Sequence, residues 1–348
     1  MTTFAVIGAG FRAQIFWQVA AGLPGVDCVG AVARRPRELP VDCYASLDDL
    51  LADRSPDFVV TSVSKDANPG ILAELVSRGI PVLTETPPAD TRDELTALWA
   101  EVGSSGLVQV AEQYPSMPMH AARIAAVRDG LIGTPTQVHV SSTQLYHAVA
   151  LMRAFLAPDA GPVTVRAMRT TAPLVNPLTR AGWTDDVTPV DTATVLATLD
   201  FGGTSGLYDF TDNQTRNLLR SRRLLVRGSH GEISDTEVVR LIDSRSVVRT
   251  RFTRRQTGHD LDLNGYATEH IAVDADVVWR NPWPEQRWND DELAVATLLD
   301  RMGAWVHGEG EAPYPLAEGC TDHWLALAVD ESLAADAPVT VQPGPWAA

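Results

Sequence analysis

A run of four apolar residues, Phe4-Ala5-Val6-Ile7, leads directly into Gly8-Ala9-Gly10-Phe11-Arg12-Ala13, and an amphipathic stretch marked by Ile15, Phe16, Val19 and Ala20 follows. Strand, glycine turn and helix in that order make a βα unit whose helix amino terminus suits an anion. Gly8 allows the tight turn, Gly10 lets backbone amides close on a pyrophosphate, and the small Ala13 lets the helix pack on its strand. The motif predicts a dinucleotide cofactor held by Gly8, Gly10, Phe11, Arg12 and Ala13, with Arg12 in reach of the pyrophosphate.

Apolar runs alternate with helix-length segments through the first 110 residues: Phe4 to Ile7, Cys28 to Val32, Phe58 to Val60, Val82 to Leu83 and Leu107 to Val110. Such alternation predicts a doubly wound parallel sheet. The early acids of Asp48-Asp49-Leu50-Leu51 and of Asp90 to Val102 suit the positive end of a helix dipole, so both stretches read as helices. From Thr136 onward the pattern changes to β-branched strands, at Thr136–Thr143, Val163–Thr171, Thr192–Phe201, Gly206–Thr211 and Leu224–Arg227. These predict a large, mostly antiparallel sheet, with helices near 290–306 and 316–334 covering a face. The expected fold is therefore α/β in a first domain, 1–117, followed by an α+β domain, 118–348. A chain of 348 residues is long enough for two cores.

Forty-four acidic against 28 basic residues leave a formal charge of −16, which argues against nucleic-acid and membrane partners. Cys28, Cys43 and Cys320 show no paired spacing and read as small buried hydrophobes of a reducing compartment. With no apolar run near the ~18 residues of a spanning helix and no leader-like start, a cytoplasmic location is expected.

The second strand should carry an acid for the adenosine 2′-hydroxyl if the cofactor is NAD. It ends Ala31-Val32-Ala33 and is followed by Arg34-Arg35, so a 2′-phosphate suits it better. NADP is the expected cofactor and NAD the alternative. Ser62 and Asn68 follow the third apolar run, where a doubly wound sheet opens its ligand crevice, and are further candidate cofactor contacts.

Several stretches together resemble the glucose-fructose oxidoreductase and inositol dehydrogenase (Gfo/Idh/MocA) family. Thr84-Glu85-Thr86-Pro87 stands where that family has Glu-Lys-Pro at a strand end, and Gly130-Leu131-Ile132-Gly133-Thr134-Pro135 looks like its entry to the second domain. His147-Ala148-Val149-Ala150-Leu151-Met152-Arg153 resembles its His-x-x-Asp-x-x-Arg helix, and residues 315–332 and 339–341 look like its closing helix and strand. The resemblance implies a Rossmann nucleotide domain and hydride transfer between nicotinamide and a sugar-like or cyclic polyhydroxylated alcohol or carbonyl. Glu85 and Thr86 would lie beside the nicotinamide ribose and Gln113 near the ring. A homodimer or homotetramer joined through the second sheet is likewise implied.

The family's lysine, aspartate and histidine correspond here to Thr86, Thr143 and His147. A threonine hydroxyl is too weak an acid or base to accept the alcohol proton unaided. His147 is the leading acid or base, since imidazole titrates near pH ~6.5. Tyr146 could take part if a nearby cation lowered its pKa. Lys65 is the third candidate, the sole lysine among the 28 basic residues. Loss of the usual lysine leaves two other readings open: a redox-neutral enzyme with a tightly held cofactor, of epimerase or glycosidase type, or a non-catalytic NADP or sugar sensor.

Other patterns weigh less. Ser62 and Lys65 spell S-x-x-K, which needs a second lysine motif that the chain lacks. Asp260-Leu261-Asp262-Leu263-Asn264-Gly265 begins like a calcium loop but has Ile271 where a glutamate is required. Trp279, Trp283, Trp288 and Trp183 could face a sugar ring or simply pack. Arg216, Arg220, Arg222, Arg223 and Arg227 read as a solvated or salt-bridged edge, or as contacts for an anionic substrate group.

Overall fold

The computed structural model describes residues 1–35, 37–179, 181–258 and 265–347. Most of the calcium-loop-like segment lies outside the described residues.

Five of the six strands of the first sheet coincide with the apolar runs: β1 (Thr2–Ile7), β2 (Val26–Val32), β4 (Phe58–Thr61), β5 (Val82–Thr84) and β6 (Val108–Val110). The sixth, β3 (Cys43–Tyr44), is only two residues long and too short to show a period. All pair in parallel, in the order β3-β2-β1-β4-β5-β6. The order reverses beside β1, which opens a ligand crevice at the carboxyl ends of β1 and β4. Helices α1 (Phe11–Ala20), α2 (Leu47–Asp53), α3 (Asn68–Ser77) and α4 (Arg92–Val102) cover its faces. The expected acids start two of them: the Ser46 hydroxyl caps α2, and Thr91 with Glu94 forms a reciprocal capping box on α4.

After α5 (Pro118–Arg128), β7 (Pro135–Ser141) and α6 (Leu145–Leu156) come β8 (Val163–Leu174), the small hairpin β9 (Leu178–Thr179) and β10 (Gly182–Trp183), then β11 (Val190–Asp200) and β12 (Ser205–Thr211). A meander follows: β13 (Arg223–Gly228), β14 (Gly231–Ser234), β15 (Glu237–Asp243), β16 (Ser246–Thr257), β17 (Ala267–Val273) and β18 (Asp276–Arg280). Two helices, α7 (Asp290–Val306) and α8 (Leu316–Ala335), precede the edge strand β19 (Val339–Val341). Among the described residues these strands form an eleven-stranded sheet in the order β18-β17-β16-β15-β14-β13-β7-β12-β11-β8-β19. Its neighbours are antiparallel except β7 and β12, so the expected mostly antiparallel sheet is borne out. Strand β16 carries four arginines and β15 is largely half-buried or exposed, which hid both from an apolar pattern.

One face of this sheet packs on α5, α6 and α8 through Val138, Val165, Leu199, Val226, Leu151 and Val329. The other face is open: β8 alternates buried Val163, Val165 and Ala167 with exposed Thr164, Arg166 and Met168. Helix α7 turns back onto the first sheet, where Leu293, Ala296 and Leu299 join Phe16, Trp17 and Val19 of α1. The nucleotide domain is thus completed by a helix from the far end of the chain.

All three cysteines are free; Cys320 is buried, while Cys28 and Cys43 are only half-buried. Among the described residues no helix is long and apolar enough to cross a membrane.

Candidate functional site

Gly8 sits at φ +122°, and a Cβ there would lie 2.1 Å from the Ser62 carbonyl oxygen. Glycine is therefore required where the β1–α1 turn passes against the end of β4. Gly10 caps α1 with open space before it, and neither a capping side chain nor a first-turn acid satisfies the amides of that helix. Ala13 is fully buried against the sheet. A helix amino terminus without a capping side chain, at a close glycine crossing, fits a diphosphate. Arg34 and Arg35 are exposed just beyond β2, and Phe11 is exposed beside the turn.

Arg12 meets two carboxylates and keeps Nη2 without a partner among the described residues. Its Nε donates to Glu85 Oε1 at 2.6 Å and its Nη1 to Asp291 Oδ2 at 3.0 Å. Asp291 comes from the first turn of α7, a contact 279 residues away in sequence. Burial pushes the Glu85 carboxyl up, and Arg12 pulls it back toward the ionised form. Asn68 is also engaged internally. Its amide donates to Thr84 Oγ1 and to the Pro88 carbonyl, and its oxygen accepts from Thr61 Oγ1. Those bonds lock the ends of β4 and β5 together and occupy both Asn68 donors, while Ser62 is half-buried at the glycine crossing.

The candidate reacting end lies near the carboxyl ends of β5 and β6. His147, in the first turn of α6, presents Nδ1 to Glu112 Oε2 at 2.6 Å, and both residues are buried. Glu112 follows β6 by two residues and also accepts from the Tyr114 backbone N–H at 3.0 Å through its other oxygen. A carboxylate partner fixes the imidazole with its proton on Nδ1 and leaves the Nε2 lone pair outward. The rings of Tyr114 and Tyr146 flank His147 at 4.3 Å and 4.4 Å.

Tyr146 donates to Gln144 Oε1 at 3.0 Å and lies against the Thr86 hydroxyl. Burial pushes its phenol up to about 12. No cation acts to lower it among the described residues, so the condition set for Tyr146 as an acid is not met and desolvation of the phenolate dominates. Tyr114 is raised by burial as well, with the Thr143 hydroxyl acting against the shift. Gln113 is buried and its Oε1 has no partner, leaving an acceptor free at the crevice.

Lys65 stands apart from this group. Its half-exposed ammonium is 2.6 Å from Asp90 Oδ1. The Asp90 carbonyl in turn meets His323 Nε2 at 3.0 Å, and the His323 ring lies 6.0 Å from that of Tyr146. Lys65 therefore borders the site through two intermediaries and does not touch His147.

Glu112 is the residue that sequence reasoning missed. An acid directly after a buried apolar run, Leu107 to Ala111, at the carboxyl end of a parallel strand was the available signal, all the more so as Thr143 supplies no carboxylate. Behind His147, Arg153 of α6 pairs with Glu318 and Asp322 of α8. Together with Glu112 it lines a cavity of about 680 Å³ bordered by Trp279 and Tyr314. Trp283 and Trp288 pack edge to face, 5.8 Å apart, in the core shared by α1 and α7. Trp183 is 67% exposed on the small hairpin.

Residues 2–113 match the Gfo/Idh/MocA family model, described as an oxidoreductase family with an NAD-binding Rossmann fold. No curated protein sequence is a significant match. Among solved structures, a myo-inositol dehydrogenase from Corynebacterium glutamicum is 18% identical with a TM-score of 0.66, covering 99% of each chain. An oxidoreductase from Agrobacterium radiobacter, in complex with NAD+, L-tartaric acid and magnesium, is 17% identical with a TM-score of 0.69, over 97% of this chain and 98% of that one. A levoglucosan dehydrogenase in complex with NADH and levoglucosan is 17% identical with a TM-score of 0.69, over 98% and 99%. At such identities these likenesses establish a shared fold along nearly the whole chain.

Proposed function

From the match of residues 2–113 to the Gfo/Idh/MocA oxidoreductase family model we propose an NAD(P)-dependent oxidoreductase of that kind, acting on the CH–OH group of a sugar-like polyol or the corresponding carbonyl. The observation that carries the reading is the buried His147–Glu112 pair at the carboxyl ends of β5 and β6, one strand end from Glu85 and Thr86. A bound nicotinamide supplies hydride acceptance or donation. Gly8, Gly10, Phe11 and Ala13 hold its diphosphate, Arg34 and Arg35 take the 2′-phosphate of NADP in preference to NAD, and Glu85, Thr86 and Gln113 border the ring end.

In alcohol oxidation the substrate hydroxyl loses its proton to His147 Nε2 as the carbon loses hydride. The Glu112 carboxylate stabilises the resulting imidazolium through Nδ1–H, the role an orienting acid plays beside any catalytic histidine. Tyr146, held protonated by burial, donates to the substrate oxygen once its hydroxyl proton turns from Gln144, and takes no proton from the substrate. Thr86 contributes a hydroxyl dipole where relatives place a lysine, so the imidazole alone moves the proton. Cofactor and substrate functions divide at 117/118. Exposed Met168 and Leu196, paired across β8 and β11 on the open face, are the centre of a homo-oligomer contact measurable by light scattering.

The test is a stopped-flow screen of the purified protein with NADP(H) and NAD(H) against sugars and keto-sugars, repeated with His147→Ala. Hydride transfer abolished by that change supports the reading. Full single-turnover rates in His147→Ala overturn the site, while cofactor binding without any hydride transfer indicates a sensor.

A further inference from the structure

The β12–β13 connection, residues 212–222, has a fixed position over the site. In the sheet β7 lies between β12 and β13, parallel to the first and antiparallel to the second, with Arg223 opposite Ser141. Strand β12 therefore ends, and β13 begins, at the carboxyl end of β7. The connection must straddle that end, from which Ser142, Thr143 and Gln144 lead into the helix bearing Tyr146 and His147.

Two buried amides pin it there. Gln214 donates to the Ser141 and Ser221 carbonyls at 2.8 Å and 3.0 Å and accepts from the Thr211 N–H at 2.8 Å. Asn217 donates to the Val175 carbonyl at 2.9 Å and to Asn176 Oδ1 at 2.7 Å.

The five arginines of this stretch separate into two groups. Arg223 pairs with Asp209 and Arg227 with Glu232, which makes both of them sheet salt bridges. Arg216, Arg220 and Arg222 have no carboxylate partner among the described residues, in a chain whose net charge is −16. Arg222 Nη2 donates to the Thr215 carbonyl at 2.6 Å, and its charge is felt at the Tyr114 phenol, whose ring packs on His147. The carboxylates nearest that phenol are already engaged, Glu112 by His147 and Asp291 by Arg12. Three guanidinium groups without a carboxylate partner among the described residues, on a pinned loop, present planar donors that suit oxyanions.

We propose that this loop selects a sugar-like substrate bearing a carboxylate or a phosphate, held by Arg222 with Arg216 and Arg220 beside it, while the reacting carbon faces His147. The inference rests on the redox reading above and adds the charge class of its substrate.

The test compares glucose, glucuronate and glucose 6-phosphate as probes, by steady-state kinetics and by calorimetric binding to the cofactor-loaded protein. At least one anionic probe should exceed glucose about tenfold in kcat/KM or affinity, as expected for one charge-assisted contact. The better of the two identifies carboxylate or phosphate. Arg222→Gln should raise KM for that probe about tenfold with kcat nearly unchanged and no effect on glucose, and Arg222→Lys should recover part of the loss. Equal or better use of glucose, or equal effects of Arg222→Gln on neutral and anionic probes, overturns the inference while leaving the redox reading intact. If no probe is oxidised, the redox reading fails and the loop is judged by binding: anion-selective binding weakened in Arg222→Gln supports it, and unselective or absent binding refutes it.

Discussion

Glu112 Oε2 lies 2.6 Å from His147 Nδ1, joining the end of the last parallel strand to the first turn of a helix 35 residues on. Glutamine in place of Glu112 keeps the shape but neither fixes the tautomer nor stabilises the imidazolium. Glu112→Gln should slow single-turnover hydride transfer by roughly a hundredfold, the upper range for an outer partner of a functional histidine. Cofactor affinity, followed by nicotinamide fluorescence, should not change. Retention of the full rate would remove Glu112 from the mechanism.

Gly8→Ala places a methyl group on the Ser62 carbonyl at a φ of +122°. Backbone strain and the clash together should lower stability on the order of 2–4 kcal/mol. Denaturant unfolding measures the loss, and cofactor titration should show binding weakened beyond what the unfolded fraction explains. A Gly10→Ala variant, with no atom within 4 Å of the added carbon, isolates the cofactor effect because it leaves the fold intact.

Removing the Arg12 guanidinium leaves Glu85 buried without its counter-charge. Arg12→Met should destabilise by about 3 kcal/mol, as breaking one side of a buried pair does, and Arg12→Met with Glu85→Gln should recover much of that. Urea midpoints of the two variants decide it; equal losses in both would mean that the pair is not coupled.

Arg34 and Arg35 stand exposed where a 2′-phosphate would lie. Changing both to serine should weaken NADPH binding on the order of tenfold to a hundredfold and leave NADH nearly unchanged. Tighter binding of NADH than NADPH to the unaltered protein would reverse the cofactor assignment.

Burial drives the His120 imidazole down to about 3. Its folded pKa lies below the unfolded one, so the unfolded chain takes up the proton first. The contribution to stability is full above about pH 6.5 and falls as pH drops, by up to about 1.4 kcal/mol per unit. Asp322, pushed up to about 6 by burial, acts with the opposite sign between its unfolded and folded values. The informative quantity is therefore the difference between wild type and His120→Gln. Unfolding measured near pH 7.5 and near pH 5 should show a smaller acid loss in the variant.

The glycine turn, the parallel strands and the principal helices were legible because each is a local pattern. Apolar runs of four to seven residues, small residues at fixed offsets and capping acids all act within one element. The two-residue β3, the short β15 and the arginine-rich β16 escaped, since a short or two-sided polar strand carries no clear period. His147 and Tyr146 were visible by their place after the first strand of the second domain. Glu112, separated from them by a helix and a strand, was not.

The sequence alone determined the dinucleotide-binding unit and the identity of its candidate base, because turn sterics and helix amides depend on neighbours along the chain. Only the tertiary structure decided what those side chains meet. It took Arg12 to Glu85 and Asp291, gave His147 a carboxylate partner from just beyond β6 and raised the Tyr146 phenol by burial. Charge pairing and desolvation depend on distance through space, and that distance exists only once the two sheets and α7 have packed together.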